Sequence, residues 1–289
     1  MSAISFDDLK PLHLVADGRT LLKISNVYSD RVTAEVALPA PSRTAVLTYS
    51  REEAQLRFSA PSNQMLDRYR AAYSYPMART EESLRLLCVA DNTDGWPSGV
   101  DGRYDLSPIV TSRKIDAAVS LGDYSPIVAA ILQRSGAPVV TGVYGNHCTA
   151  DYMPEHDIVD LIGDRSLPAR LTTFPQVSAL SRPLSVLAVQ GCVKYKEPTG
   201  DVLFTQEQYA QAIDPLPGAD LVITHCPPAG VNDADDDAHR GITALRRWVD
   251  RHQPRWLLHG HTYENPPVST HGRTAVHWIS GLAVVDVQV

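Results

Sequence analysis

The sequence predicts an α/β layered domain over most of its length, preceded by a β-rich stretch. Three observations carry this reading. From about residue 84 onward, short runs rich in Val, Ile and Leu alternate with segments of helical periodicity. The runs are continuously apolar, as expected of central strands covered on both faces. Five of them stop at a polar residue able to bind a metal, which collects chemistry along one edge of the layers.

Residues 1–82 form a first region by composition. RTLLKISNV, RVTAEVAL and RTAVLTYS read as three strands, joined by Ser-Asp and Pro-Ala-Pro-Ser turns. REEAQLRF and MLDRYRAAYSY have helical character. No chemical motif falls there, so the region reads as a β-rich extension of the domain formed by residues 83–289.

In that domain LRLLCVA ends at Asp91, IDAAVSLG at Asp123 and PVVTGVYG at Asn146. PLSVLAVQG follows, then ADLVITH, ending at His225, and RWLLHGH, ending at His261. Between them PIVAAILQRSG, EHDIVDLIGD, TQEQYAQAI and GITALRRWVDRHQ read as helices. The tail from Pro267 carries β-rich pieces around a His271-Gly272 turn, which reads as a hairpin extending a sheet.

The chain has 289 residues and a formal net charge of −7, from 26 Lys+Arg against 33 Asp+Glu. That balance disfavours a long nucleic-acid partner, which needs clustered cations. A small phosphorylated substrate remains compatible, because a metal ion can supply the positive charge. No apolar run approaches the roughly 18 residues of a membrane helix. The start, MSAISFDDLK, lacks the basic and apolar regions of a signal peptide, so a cytoplasmic protein is expected. Cys88, Cys148, Cys192 and Cys226 show no C-x-x-C spacing and read as free buried thiols. The P-loop and G-x-S-x-G patterns are both missing, which disfavours ATP-driven chemistry and acyl hydrolysis.

A single Asp after a strand is usually a turn or cap residue. Asp91, Asp123, Asn146, His225 and His261 all stand at strand ends, and packing does not ask for that coincidence. Asp, Asn and His together make a mixed oxygen and nitrogen site suited to Zn, Mn or Fe.

The ordered pieces LGDY, YGNHC, ITHCPP and LHGHTY resemble the calcineurin-like metallophosphoesterase superfamily. Its pattern runs D-x-H, G-D, G-N-H-[DE], a strand-ending His, and G-H-x-H. The resemblance covers roughly residues 84–289 and implies a four-layer α/β/β/α sandwich. It makes Asp123 the carboxylate bridging two metals, with Asn146, His225 and His261 completing the second position and Asp91 belonging to the first. Asn146 and His147 would meet the substrate. His147 would protonate or orient the leaving oxygen, and Asp91 would join it in the catalytic set. Phosphate esters repel nucleophiles, and a metal neutralises that charge and turns its water into an attacking hydroxide near neutral pH.

The sequence departs from the pattern at two imidazoles of the first position: Thr93 stands in D-x-H and Tyr263 in G-H-x-H. Cys148 replaces the acid after G-N-H. The second position is complete, so one tightly bound divalent ion is expected there. Three readings follow. The enzyme works with that one ion. Or oxygen ligands, from Asp91 and Asp123 with Asn92, Asp94 or Tyr263, hold a second ion, favouring Mg or Mn. Or catalysis is lost and the protein binds a partner or ligand. The leading expectation is a metal-dependent phosphatase or phosphodiesterase acting on a small ester such as a nucleotide. Trp96 reads either as packing on the next helix or as stacking on a base or covering the site, the acidic run from Asp233 to Asp237 as a solvated loop or a cleft rim that attracts cations, and His239 as a surface residue at a helix start or one that reaches the substrate.

Overall fold

All six apolar runs become strands, within a few residues of their sequence bounds. The computed structural model describes residues 13–16, 19–27, 31–37, 44–50, 83–91, 106–197, 200–263, 265–266 and 268–288. The two helical segments expected near residues 51–75, and Asn92, Thr93, Asp94 and Trp96, lie outside the described residues.

In the N-terminal region β1 (His13–Ala16), β2 (Arg19–Val27), β3 (Arg31–Ala37) and β4 (Thr44–Ser50) form an antiparallel meander in chain order. The three strands expected from sequence are β2, β3 and β4; the short β1 adds a fourth.

The main region contains two sheets. The first comprises β5 (Ser83–Ala90), β6 (Ala117–Ser120), β7 (Val140–Gly142), β8 (Val159–Asp160) and β17 (Gly281–Gln288), in the order β17-β5-β6-β7-β8. The second comprises β9 (Ala169–Thr173), β10 (Ser185–Val189), β13 (Leu221–Thr224), β14 (Trp256–His259), β15 (Val268–His271) and β16 (Thr274–Trp278), in the order β15-β16-β14-β13-β10-β9. A two-residue pair, β11 (Cys192–Val193) and β12 (Leu203–Phe204), stands apart from both. Among the described residues the helices are α1 (Ser107–Arg113), α2 (Pro126–Gln133), α3 (Gln206–Ile213) and α4 (Thr243–His252).

Strand periodicity divides the core into layers. On β5, Leu84, Leu86, Cys88 and Ala90 join Val186 and Ala188 of β10 and Leu221 and Ile223 of β13 in one buried cluster. That cluster draws on both sheets and no helix, so it is the layer between them. The alternate residues Leu87 and Val89 of β5, Leu187 of β10 and Val222 of β13 cluster instead with helical residues such as Ile131, Leu132, Leu245 and Trp248. The main region is therefore the four-layer α/β/β/α sandwich that the resemblance implies. It also explains the continuously apolar strands: each has one face on the other sheet and one on helices.

Local signals set the helix ends. Ser125 caps α2 by accepting from the Val128 N–H, with Pro126 following. Thr205 and Gln208 form a reciprocal capping box on α3. α4 buries Ala244, Leu245, Trp248 and Val249, the i, i+1, i+4, i+5 stripe of an amphipathic helix.

One expected helix is absent. EHDIVDLIGD forms a three-residue 3-10 turn, Pro154–His156, and then the edge strand β8. Ile158, Leu161 and Ile162 are buried at helical spacing, which is what misleads. Asp157 and Gly163 take left-handed backbone at φ 54° and 76°, and β8 pairs in parallel with β7 between them. Helix α1 carries no strong periodic signal in its seven residues, and the sequence reading does not anticipate it.

The tail forms the expected hairpin of β15 and β16, then crosses over. β17 pairs antiparallel along the whole of β5 in the other sheet. There the buried Arg85 meets Asp286, Nε to Oδ1 at 2.6 Å.

Asp220 ties the start of β13 to β10: it accepts from the Ser185 N–H at 2.9 Å and Oγ at 2.6 Å, and pairs with Arg182 at 3.1 Å. Burial alone would raise its pKa, but these partners bring it down to about 2. A depressed carboxylate pKa stabilises the fold above the unfolded value near 4. That contribution is expected to fade as pH falls from about 4 toward 2. Urea melts of wild type and Asp220→Asn across that range should converge at the acid end. Among the described residues, no helix is long and apolar enough to cross a membrane.

Candidate metal centre

The carboxyl ends of β5, β6 and β7 in one sheet meet those of β13 and β14 in the other. Hydrogen bonds join these ends. Asp91 N–H donates to Gly122 O at 3.1 Å, Gly260 N–H to His225 O at 3.0 Å, and His261 N–H to Asp91 Oδ2 at 2.8 Å. The last of these links the two sheets directly.

Tight turns then aim the side chains. Asp91, Asp123 and His261 have φ of 54°, 51° and 69°, three of the seven non-glycine residues with positive φ among the described residues. Such backbone costs about 1–3 kcal/mol where a local side-chain bond does not relieve it, and it clusters at functional sites. Two glycines permit the approach. A Cβ on Gly145 would lie 2.2 Å from Asp123 Oδ1, and one on Gly260 would lie 2.7 Å from Asp91 Oδ2.

Asp91, Asp123 and His225 each offer a ligand atom, and those atoms lie within 4.8 Å of one another. Asp123 and His225 are buried and Asp91 half-buried. His225 Nε2 stands 3.5 Å from Asp123 Oδ2 and 2.8 Å from Oδ1 of the buried Asn146. Among the described residues, neither Asp91 nor Asp123 pairs with Lys or Arg.

The imidazoles are oriented from behind. His225 Nδ1 donates to Leu121 O at 2.8 Å, so Nε2 is the nitrogen that faces the carboxylates. His261 Nε2 donates to Ala238 O at 2.8 Å, leaving Nδ1 as its free nitrogen. A main-chain carbonyl that fixes one ring proton is the usual support of a metal-ligating histidine. The two rings lie 4.8 Å apart, centroid to centroid. His259 contrasts with both. Its Nδ1 is bonded to Gly260 O and its Nε2 to the Asn232 amide, so it is a satisfied core residue.

The electrostatics match a group of ligands facing one another. Burial, with the like charge of Asp123, pushes the Asp91 carboxyl up to about 7, against the opposing pull of His225. Burial would lower His225, but Asp123 and Asp91 outweigh it and carry the imidazole up to about 9. Burial would raise Asp123, and His225 holds it below the usual carboxylate range. Burial and the charge on His225 push His261 down to about 3, so its ring is neutral. Two carboxylates and an imidazole with a supported tautomer are donors that fit a divalent cation. A proton at His225 Nε2 takes the place such a cation would claim, so binding would release it.

The structure thus brings Asp91, Asp123 and His225 into one tight group, with Asn146 on His225 and His261 packed beside it. His147 is exposed at the rim, and its main-chain N–H donates to Asp123 Oδ1 at 2.7 Å. Tyr263 is 69% exposed, with its ring 4.9 Å from His239, and burial together with the charges of Asp91 and Asp123 raises its hydroxyl above the ordinary value. Cys148 is a packed thiol: it accepts from Gly145 N–H and Tyr152 Oη, and burial pushes it up to about 11.

Of the two sequence readings of His239, on the surface or toward the substrate, its half-buried position beside His261 matches the second better. Its ring lies 5.1 Å from His261 and 4.9 Å from Tyr263, and its Nδ1 holds Asp236 at 2.8 Å. The acidic run also has work inside its loop. Asp233 accepts from the Gly230 and Gly241 N–H groups and closes the loop on itself. Neither placement is legible locally, because each depends on how the loop folds back over the second sheet.

Fold and site together define an α/β/β/α sandwich with a buried ligand cluster where the strand ends of its two sheets meet. No family model matches the sequence, and no curated protein matches it. Among solved structures, one crystal structure superimposes with a TM-score of 0.51 at 12% identity, covering 71% of this chain and 95% of its own. TT1561 of Thermus thermophilus gives a TM-score of 0.46 at 13% identity, over 71% of this chain and 98% of its own. Vacuolar Protein Sorting 29 from Cryptosporidium parvum gives 0.36 at 12% identity, over 69% and 75%. At these identities the first likeness speaks for the fold alone.

Proposed function

We propose that this protein is a metal-dependent hydrolase of small phosphoric monoesters or diesters. One observation carries the reading. Buried ligands from two different sheets, with no Lys or Arg paired to them among the described residues, converge behind carbonyl-fixed imidazoles. Asp91 and Asp123 face the His225 imidazole, raised to about 9, as their counter-charge, and a divalent ion in place of its Nε2 proton would neutralise both carboxylates. The motif resemblance to calcineurin-like metallophosphoesterases points to the same chemistry.

Asp123, Asn146, His225 and His261 would hold one divalent ion, with Asp91 alongside. The ion supplies charge neutralisation at the phosphoryl oxygens and acidifies water near neutral pH. The chain does the rest. Leu121 O fixes the His225 Nδ1 proton, so Nε2 would be its ligating nitrogen, and Ala238 O on Nε2 would leave Nδ1 for that role in His261. The His147 main-chain bond to Asp123 fixes the start of that loop, from which the exposed imidazole would reach the leaving oxygen. There it can hand over a proton, the general-acid role.

Tyr263, exposed where the motif has a second histidine, favours a single ion over a pair. It is also the observation behind the competing reading, a ligand-binding protein without turnover. Hydrolysis of an aryl phosphate and an aryl phosphodiester, with and without EDTA and with Mn restored, decides between them. Activity that EDTA removes and Mn returns is expected. Metal binding with no turnover on either ester, or on nucleotides, would establish the binding protein instead.

A further inference from the structure

An open pocket of about 430 Å³ is lined by Lys194, Tyr195, Lys196, Glu197, Asp237 and Arg240. Two segments build it. Residues 194–197 follow β11, and the Lys194 N–H is fixed on Phe204 O at 2.8 Å. Asp237 and Arg240 belong to the loop of Ala238 and His239, which is pinned to the candidate metal centre through His261. Asp237 and Arg240 therefore stand next in sequence to the two residues that touch His261.

The pocket's cations differ in what holds them. Lys196 pairs at 3.0 Å with Asp201, whose side chain is only 5% exposed, and lies 5.6 Å from the Tyr195 ring centroid. Lys194 pairs with Glu197 at 3.1 Å and Arg240 with Asp237 at 2.7 Å, but those two acids are 89% and 82% exposed. Exposed pairs of this kind are screened and weak, so an incoming oxyanion displaces either acid with little loss. Arg offers a fork that matches phosphate and Lys a mobile point charge. Tyr195 adds an aromatic surface beside them.

We propose that this pocket is a second anion subsite, which holds a further phosphoryl group of the substrate while the ester to be cleaved lies at the metal centre. The preferred substrates are then small organic molecules with two phosphoryl groups. This rests on the phosphoester reading, and the experiment separates the two.

Binding of ADP against AMP, and of pyrophosphate against orthophosphate, is measured by calorimetry on the full chain at equal free Mn. The wild type is expected to favour the two-phosphate member of each pair by about tenfold or more, the scale of one good ion pair. Lys194→Ala/Arg240→Ala should erase that preference, Lys194→Arg should keep it, and Glu197→Gln, which frees Lys194, should strengthen it. A preference for ADP without one for pyrophosphate would assign the recognition to the base and overturn the subsite. So would a wild type without preference, or Glu197→Gln and the double variant matching wild type. Aryl phosphate hydrolysis by the same wild-type sample reports separately on the hydrolase. An inactive protein with a Lys194- and Arg240-dependent preference retains the subsite and loses the hydrolase. An active protein without the preference does the reverse.

Discussion

His225→Ala is expected to strip the tightly held metal and to lower phosphoester hydrolysis by more than about 100-fold. Loss of a residue that merely supports a metal ligand already reduces affinity or activity about 10–100-fold. His225 is placed to do more, since its Nε2 faces Asp123 and Asn146 at the middle of the cluster. The side chain is fully buried, so truncation also leaves a cavity and unpairs Leu121 O. His225→Gln keeps most of the volume and separates these effects. Metal content by elemental analysis, read beside the melting temperature, decides. A folded His225→Ala with full metal content would remove His225 from the site.

His147→Ala is expected to leave metal content and melting temperature close to wild type and to lower the hydrolysis rate by about 10²–10⁴-fold, the usual contribution of a positioned proton donor. The link to Asp123 runs through the His147 main chain, which the substitution retains. The imidazole is exposed, so its loss opens no cavity. The expected signature is a fall in kcat and kcat/KM together. Esters with good leaving groups should suffer less, because they need less protonation on departure. Equal turnover by wild type and His147→Ala on alkyl and aryl esters alike would rule out the acid role.

Much of the fold is legible in the sequence because burial on both faces leaves a strong mark. LRLLCVA, ADLVITH and RWLLHGH could hardly be anything but covered strands, and they are β5, β13 and β14. EHDIVDLIGD misleads because Ile158, Leu161 and Ile162 satisfy helical spacing while filling the space beneath a short edge strand. Spacing cannot tell those two uses apart over so few residues. Asp91, Asp123 and His225 are legible as a group because each follows a strand within three residues, and parallel topology gathers such ends. His239 and the pocket of Lys194 and Arg240 are not. They come from loops whose positions depend on contacts such as His261 to Ala238, across 23 residues of chain.

Asp91, Asp123, Asn146, His225 and His261 are proposed to form one divalent-metal centre, around the Asp91, Asp123 and His225 group. Metal stoichiometry tests it most directly, measured by elemental analysis on the full chain purified without chelator and then dialysed against buffer. About one divalent ion per chain is predicted, falling to near zero in Asp123→Asn protein that still melts cooperatively. Wild type that holds no metal and shows no saturable Mn or Zn binding, or Asp123→Asn that retains a full equivalent, would contradict it.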